Sequence, residues 1–192
     1  MNNSKMSLIS LFLCGTLLAV GFYLFEEYNF TAGAQVAAPD RFPGSVNAII
    51  LDKQVPTLLV FAHPKCTCTT ATLTELSRLK TKLGAQIAVK VFISYDPQDE
   101  FEGQAIERQA RAIANVDVEK DLNRTVAKTF GALTSGQTML YAPEGNLLFQ
   151  GGITESRGHE GVSPGALEIA RIVTGPFIKS EFARMPTFGC HL

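Results

Sequence analysis

The sequence predicts an α/β sheet domain behind a single membrane-spanning helix. Three observations carry this: an uncharged apolar run near the N-terminus, strand-length apolar runs alternating with amphipathic helical stretches, and a closing hairpin followed by one more helix. The chain has 192 residues, 46% hydrophobic and 18% charged. That fits one globular domain of roughly 140 residues plus an apolar segment, and a two-domain enzyme is not expected. The 17 basic and 18 acidic side chains nearly cancel, and no Lys/Arg cluster exceeds a pair, so no nucleic-acid partner is expected.

Residues 6–25 (MSLISLFLCGTLLAVGFYLF) carry no charge, about the twenty residues a helix needs to cross a bilayer. Lys5 precedes the run and no Lys or Arg follows until Arg41, which places the N-terminus inside and the remainder outside the cytoplasmic membrane, in an oxidising, periplasmic or other extracytoplasmic space. A cleaved signal peptide is the rival, with Ala32-Gly33-Ala34 as the processing site. The length of the run and Glu26-Glu27 favour an anchor over residues 1–28. Cys14 follows the bulky Phe12-Leu13 and reads as a span residue, not a lipidation site. Residues 29–44, small and proline-containing, read as a spacer.

The domain is expected over 45–180. Residues 46–51 form a first short strand, and 57–62 (TLLVFA) an unbroken apolar run typical of a central strand. Leu73, Leu76, Leu79 and Leu83 then line one face of a helix, with a capping-box match at Thr72-x-x-Glu75, a solvated face from Glu75 to Lys82, and a stop at Gly84. A strand over 87–94 and a helix over 104–115 follow, the latter with Glu107 and Arg111 paired at i,i+4. Residues 122–130 read as a short helix closed by Gly131. The stretches 138–141 and 147–150 flank the turn Ala142-Pro143-Glu144-Gly145 as a hairpin. Ser163, with Pro164 at the first helical position, opens a last helix ending near Gly175. The expected order is β-β-α-β-α-α-β-β-α, with residues 181–192 as a tail.

The chemistry concentrates at His63-Pro64-Lys65-Cys66-Thr67-Cys68, where a buried strand turns into a helix. A thiolate there faces the positive end of the helix and unpaired N–H groups. With Lys65 beside it, Cys66 is expected to be acidic and nucleophilic. Cys68 can resolve the mixed disulfide that Cys66 forms, and a ring closed across one residue would be strained and oxidising.

The strand, the cysteine pair at the helix start and the later stretch FGALTSGQTMLYAPEG resemble the thioredoxin-like superfamily over residues 45–175. The stretches FAHPKCTCT, TSGQTMLYAPEGNLLFQGGITESRGHEG and FGCHL are similar to the bacterial RedB-like membrane-anchored group. The resemblance implies a thioredoxin-like fold, a central mixed sheet flanked by helices. It also implies thiol-disulfide exchange with protein clients, with Cys66 as nucleophile and Cys68 as resolving thiol. The chain departs from the superfamily pattern in two places. One residue, Thr67, separates the cysteines where the pattern has two, and the familiar cis-proline falls on Gln137, which leaves the sulfurs less shielded and makes Gln137 a candidate tuning residue.

Cys66, Cys68 and Cys190 are an odd number of thiols for an oxidising space, so Cys190 is a candidate accessory thiol or a metal ligand. The alternative function is a metallochaperone that holds Cu(I) or Zn through Cys66 and Cys68, with Cys190 or His159 completing the site, and serves a respiratory complex. His63 is either a strand cap or a group that tunes the thiolate; His159 is either a solvated loop residue or a ligand. A peroxide-reducing variant would need an arginine beside the thiolate, and the local sequence offers Lys65 instead. No phosphate-binding glycine loop or hydrolase motif is present, so no nucleotide or organic cofactor is expected.

Overall fold

The computed structural model describes residues 3–44, 49–95, 104–175 and 182–192. They fall into two units, Met1–Thr31 and Ala32–Leu192. The first is helix α1 (Asn3–Phe30), whose stretch Met6–Phe30 is long and apolar enough to cross a membrane.

The second unit is a mixed α/β sheet with flanking helices. In chain order it contains β1 (Thr57–Ala62), α2 (Cys68–Leu83), β2 (Ala88–Tyr95), α3 (Gln104–Arg111), β3 (Asp117–Leu122), α4 (Thr125–Phe130), β4 (Gln137–Tyr141), β5 (Leu147–Gly152), α5 (Pro164–Thr174) and β6 (Ala183–Arg184). The sheet order is β3-β2-β1-β4-β5-β6, with β1, β2 and β3 parallel, β4 antiparallel to β1, and β5 antiparallel to β4. Alternation along the strands divides the core. Leu58 and Val60 of β1 and Leu140 of β4 pack with Leu73 and Leu76 of α2 and Ile169 of α5. Leu59, Phe61, Met139 and Tyr141 face the other way and pack with Phe130 of α4. There Phe42, Phe61, Phe92, Phe130 and Tyr141 form a ring cluster with centroids 5.4 to 5.9 Å apart. β1 is buried along its whole length, which holds its C-terminal end, and the cysteines after it, on a rigid platform.

Several expected elements form as read. α5 is capped by Ser163, whose Oγ accepts from Ala166 N at 3.2 Å, with Pro164 next. Gly131 ends α4 at φ 67, a left-handed conformation that glycine adopts without strain. Glu107 and Arg111 pair at 2.9 Å.

Other expectations are corrected. Of the strand expected over 46–51, residues 46–48 lie outside the described residues and 49–51 are irregular. Helix α2 starts at Cys68, so Thr72 is interior and donates to Cys68 O instead of capping. Glu75 and Lys80 are buried: Glu75 accepts from Gly161 N at 2.7 Å and pairs with Arg78, while Lys80 Nζ caps the C-terminal end of α2 by donating to Gly84 O and Ile87 O. The helix expected over 104–115 ends at Arg111. Residues 117–122 form β3, and only 125–130 of the helix expected over 122–130 is helical. Asp121 of β3 receives Val126 N and Ala127 N, each at 2.8 Å, and so caps α4.

The segment expected as a spacer lies along the domain from Gly33 to Phe42. Gly33 N donates to Thr187 O, Ala38 N to Gln150 Oε1, Tyr141 OH to Pro39 O, and Phe42 N to Gly145 O, at 2.7 to 3.0 Å. Small residues suit that path: a Cβ added at Gly33 would run into the Thr134 side chain.

Candidate active site

β1 ends at Ala62, and residues 63–67 are wound into a turn that runs directly into α2. Cys66 N donates to His63 O at 3.2 Å, Thr69 N to Cys66 O at 3.0 Å, and Thr69 Oγ1 to His63 O at 2.9 Å. Thr67, at φ −60 and ψ −30, already has helical geometry. Ser135 braces the turn from the loop before β4: its Oγ accepts from His63 N and shares a hydrogen bond with Thr69 Oγ1, both at 2.9 Å. The turn carries Cys66 at 2% exposure and Cys68 at 5%.

A second segment reaches the same place from the far end of the chain. Beyond β6, Gly152 N donates to Pro186 O, Ser135 N to Cys190 O and Leu192 N to Leu133 O, at 2.8 to 3.1 Å, and Thr134 pairs with His191 as an antiparallel bridge. A Cβ at Gly189 would stand 2.0 Å from Ser135 O, so this strap can lie so close only with glycine there. The result is that Cys190 N donates to Cys66 Sγ at 3.3 Å, and the sulfurs of Cys66, Cys68 and Cys190 all lie within 4.8 Å of one another.

Burial disfavours a thiolate at Cys66, but hydrogen bonds from the thiol and backbone of Cys190 and from Cys68 outweigh it, so Cys66 sits below the ordinary thiol value. Cys68 is raised, first by burial and then by the charge and hydrogen bond of Cys66. Cys190 is pushed up to about 12 by burial and by the same neighbour. Of the three sulfurs, Cys66 is thus the one whose thiolate the site favours, and Cys68 and Cys190 are held toward the thiol form. Bonding Cys66 to another sulfur removes that charge and leaves burial as the main brake on its neighbours.

Arg157 is the functional candidate the sequence reading missed. Its guanidinium donates to Gly189 O and favours the thiolate forms of Cys68 and Cys190. Its only local signal is an arginine in a glycine-rich loop. Lys65, expected to tune Cys66, is exposed, and the groups that lower Cys66 are Cys190 and Cys68. His63 lies in the turn, its Nδ1 accepting from Lys65 N at 3.1 Å. Gln137 is fully buried; its Oε1 accepts from Leu133 N at 3.1 Å, which ties it to the loop after α4. His159 is exposed, with its Nε2 3.9 Å from Glu155, outside the cysteine cluster. Among the described residues, the group that could hold a metal ion is Cys66, Cys68 and Cys190.

No family model matches the chain, and no curated protein matches it. Solved structures do. An uncharacterized conserved protein from Geobacillus kaustophilus is 16% identical, with a TM-score of 0.59 over 84% of this chain and 91% of that one. A hypothetical protein from Sinorhizobium meliloti is 20% identical, with a TM-score of 0.57 over 84% and 93%. The thioredoxin domain of a thiol-disulfide oxidoreductase from Bacteroides vulgatus is 14% identical, with a TM-score of 0.46 over 75% and 99%. The first two share the fold of the domain, the mixed α/β sheet with flanking helices described above.

Proposed function

We propose that this protein is a membrane-anchored thiol-disulfide oxidoreductase of the RedB-like kind. Its α1 spans the cytoplasmic membrane with the N-terminus inside, and its domain exchanges disulfides with protein clients on the extracytoplasmic side. The observation that carries the reading is Cys66: a buried sulfur at the mouth of α2, favoured as thiolate, with two further thiols within 4.8 Å. A thiolate attacks a client disulfide to give a mixed disulfide, and an adjacent thiol then displaces the client without diffusing to it. The exchange needs no organic cofactor, because the sulfurs themselves carry the electron pair.

The test uses the full chain in detergent with insulin as a disulfide substrate and dithiothreitol as reductant. Cys66→Ser is expected to bring reduction down to the uncatalysed rate, and Cys68→Ser/Cys190→Ser to accumulate a client bound through Cys66. Full activity in Cys66→Ser would refute the proposal.

A second reading has one observation in its favour, the convergence of three soft sulfurs: a carrier that holds Cu(I) or Zn as cargo for a respiratory complex through Cys66, Cys68 and Cys190. Full chain purified without chelators would then contain one copper or zinc and three free thiols outside α1. A metal-free protein with a disulfide at Cys66 contradicts it.

A further inference from the structure

We propose that Cys190, not Cys68, is the thiol that closes the disulfide with Cys66. The proposal rests on the exchange reading above and assigns its second catalytic residue.

Between the two cysteines Thr67 has helical geometry, at φ −60 and ψ −30, α2 starts at Cys68, and Thr69 N is bonded to Cys66 O at 3.0 Å. Cys66 thus precedes the helix and Cys68 opens it, with a single residue between them. Their sulfurs can lean to within 4.8 Å. A bond of about 2.05 Å between them, however, closes a ring across Thr67 alone, where disulfide geometry is hard to meet without backbone strain.

Cys190 carries no such constraint. It arrives on a separate strap, laid against residues 133–135 by Ser135 N to Cys190 O and Leu192 N to Leu133 O. Its own N–H lies 3.3 Å from Cys66 Sγ, so its side chain begins beside the sulfur it must reach. Gly189 and the Arg157 contact to Gly189 O hold the strap at that depth.

In the step proposed, Cys66 thiolate attacks one sulfur of a client disulfide; a Cys66–client bond forms, and the other client sulfur leaves as thiolate. Cys190 gives its proton to that thiolate and attacks Cys66 Sγ. The Cys66–Cys190 bond forms, and the second client sulfur leaves with the electron pair and takes a proton from water. The client gains two electrons and two protons; the protein loses the two electrons and the Cys190 proton, and water supplies the other. A protein dithiol on the reducing side resets the pair by the reverse sequence. Cys68 stays a thiol throughout and serves by hydrogen-bonding the Cys66 thiolate.

The experiment uses full chain in detergent on a Cys14→Ser background, with oxidised glutathione as probe, read by peptide mapping under non-reducing conditions. Wild type and Cys68→Ser are expected to lose two hydrogens and to show Cys66 linked to Cys190. Cys190→Ser should hold glutathione on Cys66 and release it at least about tenfold more slowly than Cys68→Ser, since an oriented neighbouring thiol is lost. A Cys66–Cys68 bond in wild type, or a glutathione adduct that persists in Cys68→Ser and not in Cys190→Ser, overturns the proposal. Insulin reduction is read on the same samples. Insulin reduced by a protein whose bond maps to Cys66–Cys68 overturns the pairing and leaves exchange standing. A Cys66–Cys190 bond without insulin reduction supports the pairing and counts against exchange.

Discussion

The turn at 63–69 and the strap at 185–192 deliver sulfurs to one point, but they are held by different forces. The turn is built from neighbours in sequence: His63 O collects Cys66 N and Thr69 Oγ1, and α2 follows at once. Its anchor is the buried Leu73, Leu76 and Leu79 face of α2, where replacing one leucine by alanine would cost about 2–5 kcal/mol. The strap has little local structure. It is held by backbone hydrogen bonds to distant residues such as Leu133 and Ser135, by Gly189, by the guanidiniums of Arg157 and Arg124 on Gly189 O and Leu192 O, and by the buried Phe188 and Leu192. Each bond of that kind is worth about 0.5–1.5 kcal/mol net, so the strap is the softer of the two and can yield when a client sulfur enters.

The difference can be broken from either side. The largest effect is expected at the turn, where Cys66→Ser removes the nucleophile and leaves no exchange above background, as measured by insulin reduction. Next is Gly189→Ala, whose added carbon would meet Ser135 O at 2.0 Å. It should lift the strap, cost about 1–3 kcal/mol in chemical denaturation, and lower the fraction of Cys66–Cys190 disulfide while leaving α2 intact.

Arg157→Gln is expected to act more mildly and only on the strap and its proton. The Gly189 contact is lost, and with it a charge that favours thiolate at Cys68 and Cys190, so both should need a higher pH to alkylate. In the unmodified protein the alkylation order on raising the pH follows from the shifts. Cys66, lowered, reacts first, and Cys190, raised to about 12, reacts last. The smallest effect is expected for Lys65→Gln, because Lys65 is not among the groups that lower Cys66. Its alkylation midpoint should stay within about half a pH unit of wild type, far less than the up to several units that cysteine microenvironments produce.

The same contrast explains what the sequence reveals. The run Thr57–Ala62, the leucine period of α2, the hairpin around Pro143-Glu144-Gly145 and the Ser163-Pro164 cap are local patterns, and each forms as read. Placing Cys66 and Cys68 at the helix mouth follows from the same patterns. β3 was hidden because Asp117–Leu122 is a charged edge strand, whose pairing with β2 is made by backbone and leaves no apolar alternation. Glu75 reads as a surface residue until Gly161, 86 positions later, supplies its hydrogen bond. Arg157 and the docking of residues 33–42 are equally long-range. Cys190 was legible as an unpaired thiol; its meeting with Cys66 depends on Gly189 and Ser135, which no local pattern connects.

The most direct test of the central claim is a redox titration of the full chain in detergent across graded mixtures of reduced and oxidised glutathione, with the state of each cysteine read by differential alkylation. The account predicts one two-electron transition in which Cys66 and a single partner change together while the third thiol stays reduced. Three thiols that remain reduced across the whole range, or a Cys66 that never joins a disulfide, would contradict it.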